Sequence, residues 1–474
     1  MPFPHILLVA FLMIVPAGAS PGKQRAMFTD VTVASGIPSV KYAEGVNIFD
    51  LDGDGMPEIF LPDVKGRDRL YKNMGACRFE DVTDRSGIKE SGGIGAVCGD
   101  VNADGLPDLY VVRGAYPYGL NLLYTQRPDG GFEDVTDKSG AASRRNGIGA
   151  VMGCLVSDGL PDIFVANWGV DTLYKNMGGT TFSDVTKDAG LDTKGKSWGA
   201  VLGDFNADGK QDIFVARGGP GTTDDSRLYI NKGHGTFDDR SASSGVNGVS
   251  WAMGAVASDF DCDGDLDLFV TCYDGPDHLF INDGSAHFTD ATSASGITSG
   301  HSMGATAGCV DNDLLPDLVV AGFTGPARLY INKGGGKFRL AVAASSGLGP
   351  DAKNEGVALG DVDGDGDLDL YVANYDGNNR LYRNNLKGGN FIKVRVKGGK
   401  RSAAGAEVRL YKAGKLLARQ DVQAGYGFCS QSPMEALFRI PDGDVRYDLT
   451  VTFPGGLAVN KNGVGPGVLD IGCQ

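Results

Sequence analysis

The sequence predicts an all-β protein, a seven-bladed β-propeller followed by a small β-sandwich-like domain. Three observations carry that prediction. An acidic nonapeptide recurs at Asp50, Asp100, Cys154, Asp204, Asp259, Cys309 and Asp361, at spacings of 50 to 55 residues. Two further markers keep the same beat. One is Leu-Tyr-x-Asn or a variant, led by Leu70, Leu123, Leu173, Leu228, Leu279, Leu329 and Leu381. The other is Phe-x-Asp-Val-Thr followed by Gly, led by Phe28, Phe79, Phe132 and Phe182 and weaker at Phe237, Phe288 and Phe338. Glycine supplies 73 of 474 residues, about double its usual share, as many short strands and tight turns require. A repeat of this length holds four short strands that must stack on neighbouring repeats to bury their faces, and seven such units form a propeller.

In the second copy the strands are expected at 93–99, 109–112, 121–125 and 132–136. Gly95, Gly149, Gly199, Gly254, Gly304 and Gly356 precede the acidic loops, as expected where the innermost strands crowd the central axis. The phase of the markers predicts how the ring closes. A Phe-x-Asp-Val-Thr at Phe28 precedes the first loop, and none follows Leu381. Residues 28–32 are therefore expected to supply the outer strand of the seventh blade, the alternative being residues 391–396. The propeller is placed at 28–387 and the second domain at 388–474. Residues 6–15 form an apolar run too short to span a bilayer, and Ala17-Gly18-Ala19 fits signal cleavage, so residues 1–19 are expected to be a secretory signal. Eight cysteines suit an oxidising compartment; the sequence does not choose among their connectivities, with Cys429–Cys473 and Cys77–Cys98 as candidate pairs and Cys154 and Cys309 left open.

In its full form the acidic loop is Asp-x-Asp-x-Asp-Gly-x-x-Asp. Side-chain oxygens at positions 1, 3, 5 and 9, with the carbonyl of position 7, can wrap one hard cation, and Gly at position 6 permits the reversal that aims them inward. Five copies keep every ligand position: Asp50, Asp52, Asp54, Met56 and Glu58; Asp100, Asn102, Asp104, Leu106 and Asp108; Asp204, Asn206, Asp208, Lys210 and Asp212; Asp259, Asp261, Asp263, Asp265 and Asp267; Asp361, Asp363, Asp365, Asp367 and Asp369. All-oxygen donors in a flexible loop favour Ca²⁺ over Mg²⁺ or Zn²⁺, so about five calcium sites are expected. The third copy, with Cys154 and Val156 in place of acids and only Asp158 and Asp162 left, is expected to be metal-free. The sixth keeps Asp311, Asp313 and Asp317 but has Cys309 at position 1 and Leu314 for Gly, and is expected to be empty or weak. Charge agrees with this reading: 20 of the 59 carboxylates sit in the five full loops, and the other 39 are outnumbered by 44 Lys and Arg. The net charge of -15 argues against a nucleic-acid binder, and no later stretch is long and apolar enough for a membrane span.

These repeats resemble FG-GAP/VCBS repeats, the unit of integrin α-subunit propellers. The chain is similar more particularly to the cartilage acidic protein family, which carries a C-terminal ASPIC/UnbV module. That module's features stand here as Gly405-Ala406-Glu407-Val408-Arg409, Gly425-Tyr426-Gly427-Phe428-Cys429-Ser430-Gln431 and Phe453-Pro454-Gly455-Gly456. The resemblance implies a secreted, calcium-binding interaction protein of the extracellular matrix or cell surface, with extracellular or cell-surface proteins as partners.

Past residue 387 the repeat ends and the charge reverses, with 12 Lys and Arg against 7 Asp and Glu. Ile392, Val394 and Val396 alternate with Lys393, Arg395 and Lys397, a strand with one basic face. With Lys400, Arg401, Arg409, Lys412, Lys415 and Arg419 this face is expected to receive sulfated glycosaminoglycan or an acidic receptor, or else to dock onto the acidic propeller. Propellers also host enzymes, and a calcium-dependent enzyme acting on extracellular polysaccharide is the rival reading. The chain holds no Gly-x-Ser-x-Gly or His-Glu-x-x-His, and His234, His278, His287 and His301 follow no ligand spacing, so binding rather than catalysis is expected.

Overall fold

The structure, a computed structural model, describes residues 26–473 except 39, 90–91, 115–118, 157–158, 221, 223–224, 250, 387–388, 400 and 442. The expected signal segment, Asp158 and Lys400 thus lie outside the described residues.

Seven four-stranded antiparallel units follow one another along the chain. In blade 5 the strands are Ala252–Ser258, Asp267–Cys272, His278–Asn282 and Phe288–Asp290, from inside to outside. The second strand, Asp-Leu-Phe-Val-Thr-Cys, is buried throughout, because neighbouring blades cover both of its faces; that is why it reads as a continuous apolar run. Inner strands of successive blades touch all the way round, and Asn47–Phe49 of blade 1 meets both Gly95–Gly99 of blade 2 and Asn354–Gly360 of blade 7. In the second repeat the last expected strand is shorter, Phe132–Asp134, and the chain then turns through a short helix, Thr136–Ser139. Asp134 accepts the Thr136 N–H at 2.9 Å, and this Asx turn breaks the strand.

The ring closes through the N-terminal strand. Phe28–Asp30 pairs antiparallel with Arg380–Asn384, so blade 7 combines the two ends of the propeller. Residues 391–396 lie instead in the second domain. Phe28 is 1% exposed, packed with Leu329, Leu348 and Tyr382. Deleting residues 20–33 should leave an unpaired edge and a cavity, giving a chain that aggregates or melts far below the intact protein in a thermal scan.

Blades 3 and 4 depart from the pattern. Asp162–Val170 runs past its own blade and pairs with the start of Lys194–Gly203, fusing the two into one eight-stranded sheet. Beneath this junction Arg217 and Asp171, each with its side chain 1% exposed, form an ion pair, and Ser197 donates to Asp171 at 3.1 Å.

The second domain is a sandwich of a three-stranded and a four-stranded sheet. In the first, Asn390–Lys397 lies between Glu435–Ile440, antiparallel, and Gly467–Gly472, parallel. In the second, Glu407–Lys412 lies between Lys415–Asp421 and Tyr447–Thr452, with Ala458–Val464 at the edge. Ile392, Val394 and Val396 enter its core beside Phe438, Val451 and Phe453.

From this domain the segment 424–432 enters the propeller's central channel. Gly427 donates to the Ala255 carbonyl at 2.8 Å, Met152 donates to Ala424 at 2.9 Å, and Ile48 donates to Gln431 at 2.9 Å. The Gln431 side chain pairs with the Cys98 backbone, accepting its N–H at 2.8 Å and donating to its carbonyl at 3.4 Å. The channel glycines leave room for this plug. A Cβ on Gly254 would stand 2.5 Å from the Gly427 backbone, and one on Gly95 2.6 Å from Cys429 Cβ. The expected crowding between blades is present at Gly149 and Gly304, which face the neighbouring strands at Trp198 and Glu355, and the second domain adds to it at Gly95, Gly199 and Gly254.

Among the described residues every cysteine is a free thiol, so neither candidate pair is joined. Cys429 is at the plug, donating to the Ile148 carbonyl at 3.0 Å, whereas Cys473 follows the last strand. Cys98 faces Gln431, and Cys77 faces Asp363 of the seventh loop at 3.8 Å.

Candidate calcium loops beneath the C-terminal domain

Each acidic loop joins the inner strand of a blade to the next, so all seven lie at one end of the ring. The loops wind on their own side chains. In the first, Asp50 accepts the N–H groups of Gly53 at 2.8 Å and Gly55 at 3.0 Å, Asp52 accepts that of Asp54, and Asp54 that of Met56. The same turns recur with Asp100, Asn102 and Asp104, with Asp204, Asn206 and Asp208, and with Asp361, Asp363 and Asp365. In the fifth, Asp259 accepts Gly264, Asp261 accepts Asp263, and Asp263 accepts Asp265.

Carboxylates converge in three of the five full loops. Ligand oxygens of Asp50, Asp52 and Glu58, of Asp259, Asp261 and Asp263, and of Asp361, Asp363 and Asp365 lie within 4.8 Å of one another in each group. Burial and these neighbours raise the Asp259 carboxyl to about 6. Several buried oxygens have no hydrogen-bond partner: Asp259 Oδ1 and both oxygens of Asp367. Like charges this close, with orphaned oxygens among them, fit a hard cation. Four loops also carry a lysine: Lys72 on Asp52 at 2.7 Å, Lys210 on Asp208 at 2.8 Å, Lys393 on Asp361 at 2.8 Å, and Lys333 on Asp311 of the sixth at 3.8 Å.

Position 9 has a second task that the sequence reading missed. In blade 5, Asp267 accepts the Phe260 N–H on one oxygen and the Asn282 N–H on the other, at 2.8 and 2.9 Å. Asp108, Asp162, Asp212, Asp317 and Asp369 repeat this clamp, and Glu58 does so with a longer second bond. Desolvation pushes Asp267 and Glu58 up to about 8. A backbone clamp explains why Asp162 and Asp317 persist in the two degenerate loops.

The clamp also gives Leu-Tyr-x-Asn its meaning. Asn282 Nδ2 donates to Leu266 in its own blade and to Phe205 in the preceding one. Asn73 reaches Val362, Asn176 Val101, Asn231 Leu155, Asn332 Phe260 and Asn384 Val310, while Gln126 in the weak second copy reaches Leu51. These seven amides close a hydrogen-bonded circle, each blade to the one before it. Replacing Asn282 by Ala orphans two buried carbonyls and should cost about 2–4 kcal/mol in denaturant unfolding, with calcium stoichiometry unchanged.

The degenerate loops are distinct. In the third, the Cys154 thiol donates to the Gly159 carbonyl at 3.5 Å. In the sixth, Cys309, Asp311 and Asp313 do converge, so this loop retains a smaller ligand cluster than a full site. Leu314 takes the position-6 conformation at φ 72°, which ordinarily favours glycine, and its side chain packs on the core of the second domain.

That domain covers the loop end of the ring. Lys393, 4% exposed, bridges Asp361 and Glu435. Arg419 and Arg409 donate to the Gly264 carbonyl at 2.8 and 3.1 Å, Gly455 donates to Gly209 at 3.2 Å, and Ser402 donates to Gly159 at 2.5 Å. Arg439 reaches Asn312 at 3.0 Å and Asp365 at 3.4 Å. Of the remaining expected glycan-binding cations, Arg395 and Lys397 pair with Asp470 and Arg401 donates to Pro454. Lys412 and Lys415 are exposed. Three cations of the basic face, Lys393, Arg409 and Arg419, thus dock the domain onto the propeller, while Arg395, Lys397 and Arg401 have partners within their own domain.

Fold and loops together define a β-propeller with acidic, cation-ready loops and a docked C-terminal domain. Residues 50–111, 155–215, 204–270, 259–320 and 310–372 match the FG-GAP-like repeat family, and the chain belongs to it. Within that class it is similar to the cartilage acidic proteins. It is 26% identical to human cartilage acidic protein 1 over 462 residues, covering 89% of this chain and 61% of the relative. To the mouse protein of the same name it is 26% identical over 278 residues, 53% of this chain and 34% of the relative. The chain thus spans 61% or less of the length of either relative. The crystal structure of BBS1N in complex with ARL6DN superimposes with a TM-score of 0.48 at 13% identity, covering 77% of this chain and 99% of that one. Among the described residues no helix is long and apolar enough to cross a membrane.

Proposed function

We propose that the protein is a secreted, calcium-stabilised interaction scaffold that presents its propeller to protein or glycan partners in the extracellular matrix or at the cell surface. The observation that carries this reading is the placement of the acidic loops: they lie in the seam between two domains, where a cation stabilises the blades and their docking together. Extracellular modules bind Ca²⁺ with Kd near 10⁻⁴–10⁻³ M, so such loops are substantially filled outside cells. The relationship to cartilage acidic protein 1 supports the extracellular setting. Carboxylates that could serve acid–base chemistry at this end are committed to backbone clamps, lysines and cations, which favours binding over polysaccharide cleavage.

The full chain, labelled and applied to extracellular matrix in millimolar calcium, should be retained and should be released by EDTA. Retention indifferent to EDTA, or unsaturated products after incubation with acidic glycans, would contradict the reading.

A further inference from the structure

At the end of the channel away from the loops, the residue before each channel glycine forms an inner ring. In five blades it is apolar: Ile94, Ile148, Trp198, Met253 and Met303 cluster on Phe428 of the plug. In blades 7 and 1, which adjoin, it is Glu355 and Glu44. Glu355 is 4% exposed, and its Oε2 is buried with no hydrogen-bond partner. Trp251 Nε1, nearby on the rim, is likewise buried without an acceptor. An aromatic wall stands above: Trp251 lies 4.7 Å from Tyr273, Tyr273 5.3 Å from Phe323, and Trp168 4.8 Å from Trp198, ring centre to ring centre. Tyr42 and Tyr375 form the wall beside Glu44, and Lys65 places its ammonium 4.3 Å from the Tyr42 ring.

We propose that this mouth is a binding site for an organic ammonium ion bearing an apolar group. A buried carboxyl oxygen without a partner is costly, and an ammonium ion supplies the missing charge and contact. The faces of Trp, Tyr and Phe attract cations, as Lys65 over Tyr42 already shows within the chain. The half-buried faces of Trp198, Trp251, Tyr273 and Phe323 take the ligand's hydrocarbon part, with the Ile, Met and Phe428 arc the packed floor beneath them. A neutral ligand of the same shape gains only the hydrophobic contact, and an anion meets two carboxyls. The site is independent of the calcium loops, which lie at the opposite end of the inner strands.

The groups facing Glu44 are Glu355, Cys429 and Lys65. Burial raises Glu44 to about 7 against the pull of Lys65, and burial raises Glu355 well above the usual range, with the Glu44 carboxyl opposing ionisation there. Affinity for an ammonium ion should therefore rise with pH through neutrality, as the pair gives up protons.

All three tryptophans of the chain, Trp168, Trp198 and Trp251, lie at this mouth, so intrinsic fluorescence reports on it. The probe is benzyltrimethylammonium, titrated into the full chain in calcium-containing buffer, with benzyl alcohol as the uncharged control. A saturable fluorescence change is expected for the cation, at least tenfold tighter than for the alcohol and weaker at pH 5 than at pH 8. Glu355→Gln and Glu44→Gln, near-isosteric changes whose folding is checked by melting curves, should each weaken the cation at least tenfold and leave the alcohol unchanged. No saturable change, equal affinity for both probes, or undiminished cation binding in folded Glu355→Gln would overturn the proposal.

Discussion

Removing calcium is expected to lower the melting temperature by on the order of ten degrees and to undock the C-terminal domain. At about ten times Kd each site contributes RT ln 11, about 1.4 kcal/mol, so five sites contribute about 7 kcal/mol, comparable to the whole stability of an ordinary domain. The effect should exceed that of a purely local ligand, because the loops touch two domains. Without cations, the carboxylates of Asp259, Asp261 and Asp263, and of Asp361, Asp363 and Asp365, repel one another at the surface that holds Arg419 and Lys393. Differential scanning calorimetry with and without EDTA reads the first effect. Limited proteolysis reads the second, with new cleavage between Asn384 and Asn390 once the docking face is released. Superimposable scans and unchanged digestion would contradict it.

The second large effect is expected at the plug. Phe428, 1% exposed, packs on Ile94, Ile148, Met253 and Met303 at the centre of the ring. Phe428→Ala should cost about 3–5 kcal/mol, since the blades around it cannot collapse inward to fill the space. Gln431→Ala removes both partners of the Cys98 backbone inside the channel and should cost about 2–4 kcal/mol. Denaturant unfolding of each variant, in calcium, measures these losses. The propeller and its C-terminal domain should melt together in the parent protein, because the plug lies in both. Phe428→Ala should separate them into two transitions. A single transition at the parental midpoint would show that the plug is only a passenger.

Much of this architecture was legible in the chain. Seven phased copies required a ring, and the surplus strand at Phe28 predicted the closure seen against Arg380–Asn384. Loop positions 1, 3 and 5 converge as their spacing implied, for instance at Asp361, Asp363 and Asp365. What was not legible was long-range. Asp267 reads as one more ligand until its two oxygens are seen to hold Phe260 and Asn282. Asn282 reads as a motif until its amide is seen to reach Phe205 in another blade, 77 residues away. The alternation at Lys393, Arg395 and Lys397 gives a basic face but not what covers it, since that depends on how two domains dock. Gly425 to Gln431 carries neither a periodicity nor a charge that points to the channel. Cysteine counting suggested bridges because it cannot see burial: the thiol of Cys429 is satisfied by the Ile148 carbonyl.

The central claim is that the acidic loops hold calcium beneath the C-terminal domain. Isothermal titration of CaCl₂ into the chelator-stripped protein tests it most directly. The account predicts about five bound ions per chain, with one lost in Asp261→Asn paired with Asp263→Asn, and none lost in Cys154→Ser. A stripped protein that takes up no calcium at millimolar concentration, while remaining folded with its C-terminal domain docked, would contradict it.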